Sequence, residues 1–254
     1  MKYSHIISVG TSILTNYCKE NNLDQKQLDI SRLIHDKTFV NELVAFVNKD
    51  PKRASAELNA LYSYLEKFDV QIDEAYLILT DTDECELCGR VLERVLRQGG
   101  VDVHIKRIRG YNIKGGDFYE GLVEFLKTIA EKVKSWKGRK IYFNATGGFK
   151  PEASLLVTIG STLGMPTYYR HEAIGDVVEI PPFPIMLAKD TMEKLEPFIQ
   201  TRSGRLYSIV ADELLLKNHL IQPIYGKRGE VRGYEITPIG KLMWSLWKVT
   251  EELK

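Results

Sequence analysis

The chain has 254 residues, 44% of them hydrophobic and 27% charged, with a formal net charge of +1. These values describe a soluble globular protein with room for one large or two modest domains, and they count against a dedicated duplex-DNA binder. No apolar run reaches the ~18 residues of a bilayer span, no secretory signal opens the chain, and the odd cysteine count (Cys18, Cys85, Cys88) gives no disulfide framework and fits a reducing cytoplasm.

In chain order, "HIISVG" (5–10) reads as a buried strand ending in Gly10, followed by a helix in "TSILTNYCKE". Residues 23–67 are helical in composition and break near Asp50-Pro51. "EAYLILTDTD" (74–83) is a second strand, and the segment after it a helix stopped by Gly99 and Gly100. "VDVHIKRI" (101–108) alternates as a third strand, 117–136 has helical spacing, "KIYFNAT" (140–146) is a fourth strand, and 150–163 is the helix after it. "MPTYYRHE" and "DVVEIPPF" supply a fifth and a sixth strand across a Gly175-Asp176 turn.

Alternating strands and helices predict an α/β, Rossmann-like, mainly parallel sheet over residues 1–184. The proline-rich run "IPPFP" marks a boundary. Beyond it, 185–254 reads as a small winged-helix-like α+β module: helices at 185–200 and 205–218, a hairpin and a closing helix, without the helix pair of a full helix-turn-helix.

Ligands of such sheets sit outside the carboxyl ends of the strands, so the turns there carry the candidate chemistry. After the fourth strand, "NATGGFK" holds Asn144, Thr146, Gly147, Gly148, Phe149 and Lys150. The glycines fit a tight strand-to-helix turn. They also fit an anion site, in which free backbone N–H groups and the lysine meet a phosphate. Lysine at a helix start opposes the dipole, and a bound anion compensates for it.

Gly10, Thr11 and Ser12 face the same edge, either as an N-cap or as hydroxyl and amide donors. Thr82 and Asp83, in the acidic run 81–84, fit a helix cap, a metal contact or a ribose contact. Arg107 and Arg109 flank Tyr111 in a basic loop suited to clamping phosphates and stacking a base. His171, ending the fifth strand, fits a general base or a strand-end histidine. Cys85 and Cys88 form a lone Cys-x-x-Cys, read as two half-buried helix residues, since zinc needs two further ligands. The dinucleotide fingerprint is absent, and no cofactor or metal is expected.

"SVGTSILTNY", "TDTDE", "NATGGFKPE" and "YYRHE…VVEIPPFPI" occur in this order, and over residues 1–184 the chain resembles CARF proteins, the CRISPR-associated Rossmann-fold sensors, with the stand-alone ring nucleases of type III CRISPR systems nearest. The resemblance implies a cytoplasmic homodimer that binds cyclic tetra-adenylate, or cyclic hexa-adenylate, across its two-fold interface. It implies metal-independent cleavage by a ribose 2′-hydroxyl to linear products with a 2′,3′-cyclic phosphate. Ser12 and Lys150 take the catalytic positions by that motif match, and the turn residues named above become ligand contacts. Related sensors bind without cutting, and others regulate transcription. Those that carry a HEPN ribonuclease need Arg-x4-6-His, whereas Arg202 and Arg205 here precede no histidine before His219. Near-neutral charge counts against DNA contact through the C-terminal module.

Overall fold

A computed structural model gives the fold and describes residues 1–109, 118–171, 175–182, 188–207 and 212–253. The chain divides into two compact units, Met1–Gly116 with Ser135–Pro184, and Asp117–Lys134 with Ile185–Lys254.

Among the described residues the first unit holds six strands: β1 (Tyr3–Val9), β2 (Glu74–Leu79), β3 (Asp102–Arg107), β4 (Lys140–Asn144), β5 (Thr167–Arg170) and β6 (Val177–Ile180). They form one sheet in the order β3-β2-β1-β4-β5-β6. The first five are mutually parallel, and β6 returns antiparallel to β5. Six of the seven residues of β1 are buried, as expected of a parallel strand covered on both faces. Ile7 and Val9 join the larger core with residues of β2, β3 and the surrounding helices.

Between β1 and β2 the chain makes a long excursion through α1 (Ser12–Glu20), α2 (Ile30–Leu33), α3 (Lys37–Lys49), α4 (Pro51–Ala54) and α5 (Ala56–Phe68). Side chains set most of these boundaries. Asp36 accepts from the Thr38 and Phe39 amides to start α3. Asp50 ends α3 and accepts from the Arg53 amide to start α4, with Pro51 in its first turn. Ser55 accepts from the Leu58 amide to start α5, and Asp69, at φ 49°, ends it. α6 (Asp83–Gln98) joins β2 to β3, α7 (Phe118–Ser135) lies between β3 and β4, and α8 (Lys150–Leu163) joins β4 to β5. Cys85 and Cys88 are fully buried on α6 rather than half-buried, because both lie on its core-facing stripe with Leu92 and Val95.

The second unit contains a three-stranded antiparallel sheet, β7 (Arg205–Tyr207), β8 (Ile221–Tyr225) and β9 (Val231–Ile236), in the order β7-β9-β8. With it go α7 up to Lys134, α9 (Lys189–Glu193), α10 (Glu196–Gln200), α11 (Glu213–Lys217) and α12 (Pro238–Leu253). Its core joins Met192, Leu195, Phe198, Leu215, Ile236, Trp244 and Trp247. The helix expected over 205–218 is instead a strand and a separate short helix. Gly204, at φ 68°, turns the chain into β7, where Leu206 pairs with Tyr234. Asp212 then accepts from the Leu214 and Leu215 amides and starts α11. Among the described residues no helix is long and apolar enough to cross a membrane.

Candidate functional site

The winding reverses at β1, whose two neighbours are β2 and β4. The carboxyl ends of β1 and β4 therefore open the crevice where α/β sheets take ligands. Gly10-Thr11-Ser12 leaves one of these ends, and the 145–149 turn leaves the other. The two are in close contact, since a Cβ on Gly10 would lie 2.9 Å from the Gly148 amide nitrogen. Gly148 has φ +86°, which a side-chain-bearing residue rarely adopts, so the turn depends on glycine there.

Beneath this contact lies Glu57, 1% exposed, in the first turn of α5. Its Oε1 accepts from the Gly10 amide at 2.8 Å. Its Oε2 accepts from Ser12 Oγ at 2.8 Å and from Ser55 Oγ at 2.7 Å. Ser12 Oγ itself accepts from the Ala56 amide at 3.0 Å. Asn144 braces the other side: its Nδ2 donates to the Glu57 carbonyl at 3.0 Å and its Oδ1 accepts from the Thr146 amide at 3.1 Å. Ser8 Oγ donates to the Gly147 carbonyl at 2.7 Å. A second buried carboxylate, Glu152, is fully buried in the first turn of α8, where its Oε2 accepts from the Phe149 amide at 2.9 Å. Its Oε1 has no partner among the described residues, and burial pushes the carboxyl up to about 7 against the opposing Phe149 amide bond.

Two clefts flank the Gly10-Thr11 corner. The larger, about 380 Å³, is lined by Thr11, Ser12, Lys52, Arg53, Thr146 and Arg170 among others. Thr11 sits at the N-cap of α1 without a side-chain cap bond. Three cations border this cleft. Lys52 pairs with Glu66 at 2.6 Å and Arg53 with Glu20 at 3.2 Å. Arg170 donates to the Gly175 carbonyl at 2.8 Å and to Ser63 Oγ at 3.4 Å. The smaller cleft, about 250 Å³, is lined by Gly10, Thr11, Thr82, Gly148 and Phe149 with Val9 and Thr80.

Thus Gly10, Thr11, Ser12, Thr82, Thr146, Gly148 and Phe149 border one or both clefts, while Asn144 and Gly147 are buried in the floor. Thr82 also caps α6 by accepting from the Cys85 amide. Arg107 is occupied: it donates to Asp81 at 2.6 Å and to Glu86, and lies 3.5 Å from Asp83. Arg109 is exposed at the end of the described segment, and Tyr111 lies outside the described residues. His171 is exposed, with its ring 6.2 Å from that of Tyr169. Lys150 opens α8, is exposed, lines neither cleft, and makes no side-chain hydrogen bond or ion pair among the described residues.

Three residues of this site escape a reading of the sequence: Lys52, Arg53 and Glu57. "DPKRASAELN" reads as a helix break and a capped helix start, and nothing local distinguishes its charges from solvated ones.

A doubly wound sheet with a glycine turn and a hydroxyl pair at its switch point is the arrangement of a CARF-domain protein, and this protein is one. A family model described as "CRISPR-associated protein (Cas_APE2256)" matches residues 52–183, just over half of the chain, and the chain belongs to that family. A solved structure of Can2 from Sulfobacillus thermosulfidooxidans in complex with cyclic tetra-adenylate (cA4) aligns with 98% of this chain at 13% identity and a TM-score of 0.36. This chain spans 65% of that one, and at this level of similarity nothing about the present site is taken from it.

Proposed function

We propose that the protein binds a cyclic oligoadenylate at the carboxyl edge of its sheet and cleaves it as a ring nuclease. In this reading two copies face each other across a two-fold axis, and each supplies one set of donors to the ring. The observation that carries the reading is the larger cleft. It gathers the Thr11 and Ser12 hydroxyls, the start of α1 and three cationic side chains around one space, a chemistry suited to a sugar-phosphate backbone.

Membership of a CRISPR-associated family and the ordered motifs at the same turns support the same ligand class. In the reaction the ribose 2′-hydroxyl attacks the adjacent phosphate, so the protein mainly holds the nucleophile in line and offsets charge. Ser12 contacts the ribose. Lys150, exposed at the head of α8 and without a competing side-chain partner among the described residues, meets the charge that builds on phosphorus.

Incubation of the purified protein with radiolabelled cA4 in EDTA tests this. Linear products ending in a 2′,3′-cyclic phosphate, formed by the wild type and lost in Ser12→Ala and Lys150→Ala, support the reading. A ring that is bound tightly but stays intact leaves a sensor, and a ring that is not bound refutes the reading.

A further inference from the structure

The hydrogen bonds around Ser12 have only one allowed direction. An ionised carboxylate only accepts, so the Ser12 hydroxyl must spend its single proton on Glu57 Oε2. A backbone amide only donates, so one Ser12 lone pair is taken by Ala56 N–H. What Ser12 turns toward the larger cleft, which it lines, is therefore its remaining lone pair. A side chain in this state cannot donate to a phosphate oxygen, but it can accept from a hydroxyl. The ribose 2′-hydroxyl is the group on an oligoadenylate that has a proton to give.

The geometry points to Glu57 as the proton acceptor of the reaction, acting through Ser12. This rests on the ring-nuclease reading and assigns Ser12 and Glu57 their parts in it. The 2′-hydroxyl passes its proton to Ser12 Oγ while Ser12 passes its own to Glu57 Oε2. The 2′-oxygen forms its bond to phosphorus, the bond from phosphorus to the 5′-oxygen breaks, and the departing 5′-oxygen takes a proton from solvent. The products are a 2′,3′-cyclic phosphate and a 5′-hydroxyl. Glu57 later returns its proton along the same path, which resets the site.

The surroundings of Glu57 suit this part. It is 1% exposed, and Ser12, whose hydroxyl it accepts from, lines the larger cleft. Gly10 N–H and Ser55 Oγ hold its two oxygens in place in the first turn of α5. Glu57 touches no substrate atom, so it is a positioning residue whose removal should slow the chemical step and spare binding.

The test is single-turnover cleavage of cA4 by Glu57→Gln, with affinity measured in parallel. The amide offers Ser12 a donor where the carboxylate accepted, which reverses the hydroxyl. The expected result is a cleavage rate about 100-fold lower with affinity within about threefold of wild type. Ser12→Ala in the Glu57→Gln background should cost little more than either change alone, because the two act as one unit. Thermal unfolding shows whether the variant folds. If it does not, Glu57→Asp takes its place, keeping the charge but withdrawing it from Ser12, with the same expected split between rate and affinity.

Cleavage within about threefold of wild type in a folded Glu57 variant, or losses from Ser12 and Glu57 that multiply, would overturn the relay while leaving the ring-nuclease reading intact. A wild-type protein that binds the ring and leaves it whole overturns the relay and the cleavage but not the binding. A wild-type protein that does not bind the ring overturns all three.

Discussion

Glu57 Oε1 stands 2.1 Å from the point where a Cβ on Gly147 would lie. Residue 147 is glycine because a buried carboxylate occupies the space of its side chain. Gly147→Ala forces either the turn or Glu57 to move, and Glu57 is held from three sides. The expected outcome is a loss of about 2–3 kcal/mol in chemical unfolding together with loss of cleavage. An alanine variant as stable and active as wild type would show that the floor of the site is soft.

Glu152 gives stability a pH dependence. Its carboxyl is raised from the usual 4.5 to about 7, so between those values the folded chain keeps a proton that the unfolded chain has lost. Stability is full below pH 4.5, falls as pH rises toward 7, and is level above, a change of about 3 kcal/mol from this group. Glu152→Gln keeps an acceptor for the Phe149 amide and has no charge to bury. The variant should show a flatter profile across that window and greater stability at pH 8, read by urea unfolding at a series of pH values. An unchanged slope would count against the assignment.

The cysteines should be silent. Burial pushes the Cys85 thiol up to about 12 and raises Cys88 as well, while Cys18 is only 3% exposed. A thiolate is the reactive species, so all three should resist a thiol reagent at pH 8 in the native protein and react together on unfolding. Rapid labelling of one cysteine in the native state would reveal local opening of α6 or α1.

The cations of the larger cleft should carry affinity rather than rate. Arg53→Ala and Arg170→Ala are each expected to weaken cA4 binding about tenfold, by removing a charge-assisted contact to phosphate. Both effects should shrink as salt is raised, more for Arg53, which lies at the exposed rim. Filter binding at two ionic strengths measures them. An affinity unchanged in both variants would place the ligand elsewhere.

Much of the fold could be read in advance because period and punctuation agree along most of the chain. α8 runs from Lys150 to Leu163, as its pattern predicts, because Gly148 and Gly164 bracket an amphipathic run. The 205–218 segment misled for a physical reason: Leu206 earns its place by pairing across to Tyr234, and no local pattern contains that partner.

The site divides in the same way. Its glycines and hydroxyls are local features of two turns, and they were visible. Glu57 was not, because only the return of the chain from α4 into α5 brings it under Ser12. Arg107 is instructive too. The basic loop and the acidic run are both legible in the sequence, but separately. The β2–β3 register places Leu79 beside Arg107, which brings Asp81 within 2.6 Å of the guanidinium.

The bond between Ser12 and Glu57 spans 45 positions of sequence, and it closes the long excursion from β1. This corner is held by contacts of the excursion rather than by the strand ladder. It should open early under mild stress, when α4 and α5 fray from α1 while the strands hold. Catalytic competence should therefore vanish at lower denaturant than sheet structure, and the gap between those two midpoints would measure how independently the excursion folds.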